Sequence, residues 1–218
     1  ISIRKKYIHM KIDYIKEIDN SKVYDVSKKT PITFLNKIST KYGNKVYLKR
    51  EDLQSIFSFK CRGAYNKISS LDLTQKSKGI IAASAGNHAQ GVALSASKLD
   101  IDALIIMPTT TPSIKIESVK KFGVQVELFG DSFDEAYEYA LKVSDKEDRI
   151  FIHPFDDPLV IAGQGTVAKE IVEEFNGTPD IFFIPVGGGG LISGMSIYLK
   201  EHYPNSKIYG VESEDAPT

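Results

Sequence analysis

Short runs of β-branched and aromatic residues alternate with amphipathic segments along most of the chain. The apolar runs lie at residues 45–50, 79–84, 102–108, 124–130, 149–153, 180–186 and 207–212. Segments with helical periodicity lie at residues 62–71, 87–98, 112–122, 132–146, 158–175 and 190–202. Strands that are apolar throughout are typical of parallel sheets covered on both faces by helices. The alternation therefore predicts an α/β fold built on parallel sheets.

Charge and hydropathy exclude several classes of partner. Lys and Arg together number 28, as do Asp and Glu, so the formal net charge is zero. The chain therefore has no basic field that would attract nucleic acid or an acidic membrane. Its longest apolar runs, such as residues 103–107 and 181–186, are too short to cross a bilayer. We expect no nucleic-acid partner, no membrane, and a location in the cytoplasm or an organelle matrix.

Cysteine and histidine show no metal-binding pattern. Cys61 is the single cysteine, which excludes an internal disulfide and fits a reducing compartment. No histidine is adjacent to activate Cys61 as a nucleophile. The histidines are His9, His88, His153 and His202. Their spacing to Cys, Asp and Glu is not that of metal ligands, so we predict no metal site.

Four consecutive glycines, Gly187–Gly190, separate a predicted strand from a predicted helix in "IFFIPVGGGGLISGMSIYL". Without Cβ atoms, successive backbone N–H groups can surround an anion at the start of the helix, and phosphate is the natural ligand. No Lys-Ser or Lys-Thr pair follows, which disfavours a nucleoside triphosphate. A dinucleotide site is an alternative, because Gly188, Gly190 and Gly194 loosely match a glycine fingerprint. A flexible tight turn is the other alternative, although four glycines cost backbone entropy.

The segment "GIIAASAGNHAQGVALSASKL" has the same arrangement with different chemistry. Its predicted strand ends at Ser84, and a helix begins at Asn87 and His88. The Ser84 hydroxyl, the Asn87 amide and the first helical N–H groups suit a carboxylate or a phenolic oxygen. In the alternative interpretation, Asn87 caps the helix and His88 is solvated. These residues alone leave both interpretations open.

Lys60 lies in an environment that disfavours a cation. In "SIFSFKCRGAYNKI" it follows Phe57 and Phe59, precedes Arg62, and stands where a helix begins. Desolvation, a neighbouring cation and a helix N-terminus each lower a lysine pKa from its usual value of about 10.4. A surface lysine that extends into solvent is the alternative. A lysine of low pKa, a phosphate-binding turn and a polar helix start are together what a pyridoxal 5′-phosphate enzyme requires.

A family resemblance extends from about residue 22 to residue 215. The blocks that carry it are "TP" (30–31), "LKRED" (48–52), "SFKCRGAYNKI" (58–68), "SAGNHAQGVA" (84–93), "MPTTTPSIK" (107–115), "HPFDDPLVIAGQGT" (153–166) and "PVGGGGL" (185–191). At these blocks the chain resembles the threonine dehydratases, specifically the biosynthetic branch, within the tryptophan-synthase-β-like (fold type II) pyridoxal-phosphate enzymes. One departure is "SIFSFK", which stands where many relatives have "TGSFK".

The resemblance implies specific roles for the residues above. Lys60 would be the catalytic residue and would bind pyridoxal 5′-phosphate as a Schiff base. The cofactor would also be bound by Asn87, at its ring hydroxyl, and by Gly187, Gly188, Gly189, Gly190 and Leu191, at its phosphate. The substrate carboxylate would be bound by Ser84, Ala85, Gly86, Asn87 and His88. The implied reaction converts L-threonine to 2-oxobutanoate and ammonia, the first step of isoleucine biosynthesis.

The resemblance also implies two three-layer α/β domains with the cofactor in the cleft between them. Residues 53–153 would form a smaller inserted domain, and residues 1–52 with 154–218 an incomplete larger one. The chain begins at Ile1 and ends soon after a predicted strand that no helix covers. We therefore expect a longer protein whose C-terminal part is missing here, and a partner for the pyridine nitrogen beyond residue 218.

Three other functions stay open at this point. A serine dehydratase or a serine racemase would share the lysine, asparagine and polyglycine features. A preference for threonine depends on room for one methyl group, which is worth only about 1–3 kcal/mol. A truncated chain that binds the cofactor without catalysis is the third alternative. An uncovered sheet edge would also favour association with a second copy, so we expect a homo-oligomer acting on a small amino acid.

Overall fold

A computed structural model describes residues 12–214. Its helices are α1 (Tyr14–Asp19), α2 (Asn36–Tyr42), α3 (Lys60–Ser69), α4 (Leu73–Ser77), α5 (Asn87–Leu99), α6 (Ser113–Lys120), α7 (Phe133–Glu147), α8 (Pro158–Glu174) and α9 (Gly190–His202). Its strands are β1 (Ile32–Phe34), β2 (Tyr47–Lys49), β3 (Ile80–Ala83), β4 (Ala103–Met107), β5 (Gln125–Leu128), β6 (Ile150–Phe151), β7 (Ile181–Pro185) and β8 (Lys207–Val211). Short 3₁₀ helices occur at Val23–Asp25 and Glu51–Leu53.

Strands β3 to β6 form a parallel sheet in the order β5-β4-β3-β6. Successive residues of β3 face opposite sides of this sheet. Ile80 and Ala82 pack with α3 and α5, whereas Ile81 and Ala83 pack with α7. Helices therefore cover both faces of the sheet, and this part of the chain has three layers. The predicted α/β fold on parallel sheets is confirmed, and the expected burial of the strands holds for β3 and β4.

Strands β7 and β8 form a separate parallel pair. Ile184 of β7 packs with Ala168 of α8 and Leu199 of α9 in an apolar cluster of its own. Helices α8 and α9 are very close where Gly194 faces α8, because a Cβ on Gly194 would lie 2.7 Å from the Gly165 nitrogen. Close packing against α8 therefore fixes α9, the helix that follows the glycine run.

Helix α3 lies between α5 and α8 and touches both through glycines. A Cβ on Gly91 of α5 would lie 2.8 Å from the Lys60 carbonyl oxygen. On the opposite side, a Cβ on Gly163 of α8 would lie 2.6 Å from the Gly63 Cα. Backbone contacts this short leave no room for a side chain, so glycine is required at the helix crossings. The first turn of α3 is therefore held from two sides, by α5 at Lys60 and by α8 at Gly63.

A buried group of charged residues joins α3 to α8 and to the chain before α3. Arg62 and Glu170 are both fully buried, and the Arg62 Nη1 donates to the Glu170 carboxylate at 2.6 Å. Arg62 also donates to both oxygens of Glu51 at 2.8 Å. Lys49 pairs with the second Glu170 oxygen at 2.7 Å. The "LKRED" block thus supplies two of the charges that neutralise this group.

The sequence located every long element but missed several short ones. All seven predicted strands and all six predicted helices are present, with ends shifted by a few residues. The missed helices and strand are α1, α2, α4 and β1, which have three to seven residues. Segments this short do not show a helical or a strand periodicity of apolar residues. The run at 45–50 was wrongly expected in a parallel sheet, because β2 pairs antiparallel with β1. The expectation about the two chain ends concerns residues outside the described range.

Glu170 offers a test of how much the buried charges contribute to stability. We expect Glu170→Gln to lower the free energy of unfolding by about 3–5 kcal/mol, because it leaves Arg62 and Lys49 buried without their shared carboxylate. Urea denaturation is the measurement. Glu173→Gln is the matched control on the same helix, since its ion pairs with Lys29 and Lys169 are partly exposed and worth about 1 kcal/mol or less. Equal losses in the two variants would contradict this account.

Candidate active site

Lys60 is the first residue of α3, and its amine is held inside the protein. The Nζ donates to the Pro154 carbonyl oxygen at 2.7 Å and lies 5.6 Å from the centre of the Phe59 ring. Burial lowers the Lys60 pKa to about 8. The sequence prediction of a lowered lysine pKa is confirmed. A substantial share of the amine is therefore neutral and nucleophilic near pH 8.

Of the causes predicted for the low Lys60 pKa, desolvation is confirmed, although not by Phe57, and the neighbouring cation Arg62 is wrong. Phe57 is 76% exposed, so it does not desolvate the amine. The charge of Arg62 is compensated by Glu51 and Glu170, and burial is the cause that lowers the Lys60 pKa. Phe57 also has a φ of 57°, a left-handed conformation that side chains rarely adopt.

The glycine run forms the loop between β7 and α9. Gly189 is the N-cap of α9 with a φ of 85°, and no side-chain hydrogen bond caps this helix. Side chains do cap α7 and α8, at Ser132 and Asp157. A Cβ placed on Gly187 or Gly189 would meet nothing within 4 Å. The open side of the loop and the uncapped helix start fit a phosphate group.

The other two glycines of the loop lie against Phe155. A Cβ on Gly188 would overlap the Phe155 ring, and a Cβ on Gly190 would lie 3.0 Å from the Phe155 carbonyl oxygen. Sequence reasoning treated the four glycines as one anion-binding unit and missed this contact. The close approach explains why glycine is needed at these two positions in terms of packing within the protein.

Two histidine rings hold the turn after β6. The His88 Nε2 lies 3.0 Å from the Ile152 carbonyl oxygen, which can only accept, so this nitrogen donates. The His153 Nδ1 accepts from the backbone N–H groups of Phe155 at 3.3 Å and Asp156 at 2.7 Å. Burial lowers the pKa of both rings, to about 3 for His88. Both rings are therefore neutral near pH 7.

The start of α5 is only partly as predicted. The Ser84 hydroxyl accepts from the Gly86 N–H at 3.1 Å, and the Asn87 side chain is exposed at the first position of the helix. No side-chain hydrogen bond caps α5. The alternative of a solvated His88 is wrong, since His88 is 3% exposed and its ring bonds to Ile152, the residue after β6. The predicted substrate contacts of residues 84–88 stay a prediction.

Strand order explains how these segments meet. Because β6 pairs parallel with β3, the residues after both strands lie at the same edge of the sheet. Pro154 accepts from Lys60, and Phe155 contacts the glycine loop. The structure thus connects Lys60 to the glycine loop through two adjacent residues. In the part of the chain that the structure covers, no three metal-ligating side chains cluster, and no helix has the length and apolar character to span a membrane.

Comparison with known proteins identifies the family. The profile of the family described as "Pyridoxal-phosphate dependent enzyme" matches residues 23–218. The chain therefore belongs to the pyridoxal-phosphate dependent enzymes, as the lysine and the glycine loop indicate.

The chain is similar to biosynthetic threonine dehydratases. It is 55% identical to threonine dehydratase 1 biosynthetic, chloroplastic, of Solanum lycopersicum, over 94% of this chain and 34% of that protein. It is 51% identical to L-threonine dehydratase biosynthetic IlvA of Pasteurella multocida, over 94% of this chain and 40% of that protein. The chain thus spans between a third and two fifths of the length of these two relatives. The predicted resemblance to this branch is confirmed.

Solved structures agree with the sequence comparison. The processed form of threonine deaminase isoform 2 from Solanum lycopersicum superposes with a TM-score of 0.89 at 50% identity, covering 92% of this chain and 58% of that one. Maize serine racemase superposes with a TM-score of 0.87 at 34% identity, covering 93% of this chain and 61% of that one. The chain has the fold of these enzymes.

Two neighbouring glycines should respond differently to the same substitution. We expect Gly188→Ala to destabilise the protein by about 1–3 kcal/mol, because the new methyl group overlaps the Phe155 ring. Gly187→Ala is the matched control and should change stability by about 0.5 kcal/mol or less, since its methyl group enters open space. Thermal unfolding of both variants checks this. A Gly188→Ala protein as stable as the control would show that Phe155 does not pack there.

The two neutral histidines predict a loss of stability in acid. An unfolded histidine titrates near 6.5, whereas the folded His88 has a pKa of about 3, so the unfolded chain binds more protons between these values. The stability that neutral His88 contributes is therefore fully present above pH 6.5. Below that pH the free energy of unfolding falls by up to about 1.4 kcal/mol per pH unit. We expect His88→Gln to weaken this dependence in urea denaturation at pH 7, 6 and 5, relative to a His202→Gln control. If the free energy of unfolding changed equally with pH in the unchanged protein, His88→Gln and His202→Gln, this prediction would be refuted.

Proposed function

We propose that the protein dehydrates and deaminates L-threonine to 2-oxobutanoate and ammonia with pyridoxal 5′-phosphate as cofactor. The observation that carries the proposal is a buried lysine amine with a pKa of about 8, connected through Pro154 and Phe155 to a glycine loop at a helix start. Similarity to biosynthetic threonine dehydratases of a plant and a bacterium supports the choice of substrate. In this proposal the reaction is the first step of isoleucine biosynthesis.

The proposed cofactor contacts follow from the observed positions. Lys60 binds the cofactor aldehyde, and the loop from Gly187 to Leu191 holds the phosphate with backbone N–H groups. The Asn87 side chain, exposed at the start of α5, contacts the ring hydroxyl. When bound, pyridoxal 5′-phosphate supplies a conjugated ring that accepts electrons from the substrate Cα.

The chain's own residues orient the substrate and move its proton. Residues 84–88 bind the substrate carboxylate through the uncapped start of α5. His88 takes part only through its backbone, because its ring is buried against Ile152. Once the substrate amine has replaced it on the cofactor aldehyde, the freed Lys60 amine would take the α-proton, since burial keeps it partly neutral at physiological pH. Loss of the β-hydroxyl and hydrolysis complete the conversion to the 2-oxo acid and ammonia.

Serine dehydration or racemisation is the second candidate function. The observation in its favour is the superposition on maize serine racemase with a TM-score of 0.87. The lower identity to that protein, 34% against 50% for the threonine deaminase structure, favours threonine. A threonine pocket differs from a serine pocket by space for one methyl group, so the two substrates are to be compared directly.

We also propose the two-domain organisation implied by the sequence. Strands β3 to β6 and the helices around them lie within residues 53–153 and share their own apolar clusters. The cluster around β7, α8 and α9 includes Ile18 of α1, which supports joining the N-terminal segment to residues 154–218. In this division the cofactor lies between the two parts, where Lys60 and the glycine loop meet.

Oligomeric state and compartment stay predictions. We propose a homo-oligomer whose substrate is a small amino acid, with no nucleic-acid partner. The proposed location is the cytoplasm, although similar proteins carry the names chloroplastic and mitochondrial. Size measurement of the purified protein and its location in intact cells are the corresponding tests.

The central experiment uses Lys60→Ala. Purified protein is incubated with pyridoxal 5′-phosphate, reduced with borohydride and digested, and the modified peptide is identified by mass spectrometry. We expect an adduct at Lys60 that is absent in Lys60→Ala and retained in the control Lys67→Ala on the same helix. Ammonia release from threonine and from serine is then measured.

The outcomes separate the candidate functions. Faster ammonia release from threonine supports threonine dehydratase, and faster release from serine supports the serine enzyme. D-serine formed from L-serine without ammonia supports the racemase, and an adduct at Lys60 with neither ammonia nor D-serine supports the non-catalytic cofactor-binding chain. An adduct that Lys60→Ala does not abolish would refute the assignment of Lys60.

A further inference from the structure

We propose that Phe155 is a positioning residue that couples the lysine to the glycine loop. The Phe155 ring supports one side of the loop Gly187–Gly190, so that the other side keeps the shape that binds a phosphate. The inference rests on the proposed function, because it assumes that Lys60 and this loop bind the same phosphorylated aldehyde. It concerns a residue whose role neither the sequence motifs nor the family similarity specifies.

Phe155 contacts the glycine loop with both its ring and its backbone. The ring occupies the space that a Cβ on Gly188 would need. The Phe155 carbonyl oxygen and Cα would lie 3.0 and 3.1 Å from a Cβ on Gly190. Backbone and ring of one residue therefore touch the loop at two places, one of them at the first residue of α9. A shift of Phe155 would change the direction of the N–H groups that follow.

The same turn also contacts the lysine. Pro154, the residue before Phe155, accepts the hydrogen bond of the Lys60 amine at 2.7 Å. The two contacts belong to adjacent residues of one turn, so the turn cannot move at the glycine loop without moving at the lysine. The two parts of the site that bind the aldehyde and the phosphate thus share a support.

Ring packing and hydrogen bonds hold the turn in place. The His153 ring packs edge-on against the Phe155 ring with centres 4.7 Å apart. The His153 Nδ1 also accepts from the backbone N–H of Phe155 and of Asp156. On the preceding residue, the Ile152 carbonyl accepts from His88. Hydrogen bonds on both sides of Pro154 keep the geometry of the turn fixed before any ligand binds.

Phe155 differs from an ordinary core residue in what its side chain packs against. Phe155 is half-buried and belongs to none of the three apolar clusters found within residues 12–214. Its ring packs on glycines and on a histidine. A large apolar side chain placed there adds little to the cores of the protein, whereas it determines how closely the turn and the glycine loop approach each other.

The test compares an aldehyde that carries a phosphate with one that does not. Dissociation constants for pyridoxal 5′-phosphate and for pyridoxal are measured by absorbance titration of the Lys60 adduct at pH 8. The proteins are the unchanged chain, Phe155→Ala, the milder Phe155→Leu, and the control Phe133→Ala on α7. We expect Phe155→Ala to weaken binding of the phosphorylated aldehyde about tenfold more than binding of pyridoxal, a difference of about 1.4 kcal/mol.

A double-mutant cycle, in which a side chain is shortened at residue 155 and a methyl group is added at residue 188, gives a second measurement that does not depend on the cofactor. Thermal unfolding of the cofactor-free protein is compared for Phe155→Ala, Gly188→Ala and the double variant. Since the Gly188 methyl group would fill space left by the Phe155 ring, the double variant should lose less stability than the sum of the single losses. Phe155→Leu should keep the fold and show a smaller shift in phosphate preference.

The outcomes distinguish this inference from the proposed function. Equal loss of affinity for both aldehydes, or no loss in Phe155→Ala, would overturn the positioning role while leaving the proposed function intact. Additive losses of stability in the double-mutant cycle would also overturn the positioning role. If the unchanged protein forms no Lys60 adduct with either aldehyde, the proposed function fails, and this inference fails with it. If Phe133→Ala changed the ratio of the two dissociation constants as much as Phe155→Ala does, the phosphate preference would not depend on the turn, and the positioning role would be overturned.

Discussion

The site depends on the ion pairs that the buried guanidinium of Arg62 forms. A charge without solvent access is tolerated only when acidic groups surround it, and here these come from Glu51 before α3 and Glu170 on α8. Three separate parts of the chain must therefore meet at one point. Lys60 lies two residues before Arg62 on the same helical turn, so the position of the lysine follows from the position of the arginine.

The same pairing separates the two cations of the site electrostatically. Arg62 forms ion pairs with two carboxylates, and Lys60 faces a neutral backbone carbonyl. A carboxylate beside Lys60 would raise its pKa, whereas burial alone lowers it. The fold thus keeps one cation permanently charged for structure and the other close to neutrality for chemistry, although the two are almost adjacent in sequence.

Sequence reasoning was accurate where the signal is local and failed where it depends on direction. The apolar runs and the glycine cluster gave the strands, the helices and the loop. The low pKa of Lys60 and its desolvation were predicted correctly. The parts assigned to Phe57 and Arg62 were wrong, because the sequence does not show which way these side chains point. Phe155 was missed because its contact with Gly188 depends on where β6 and β7 lie in the folded chain. The antiparallel pairing of β2 was missed because β1 is only three residues long.

The glycine loop shows why four glycines occur together. Gly188 and Gly190 face Phe155, where a side chain has no room, whereas Gly187 and Gly189 face open space. Gly189 in addition has a φ of 85°, which favours glycine at the N-cap. Packing within the protein therefore accounts for two of the glycines and backbone conformation for a third. A phosphate on the open side would account for the fourth, because it requires close approach to the backbone at Gly187. Each glycine in the run would then meet a separate steric requirement, and contacts on both sides of the loop would offset the entropic cost of the four glycines.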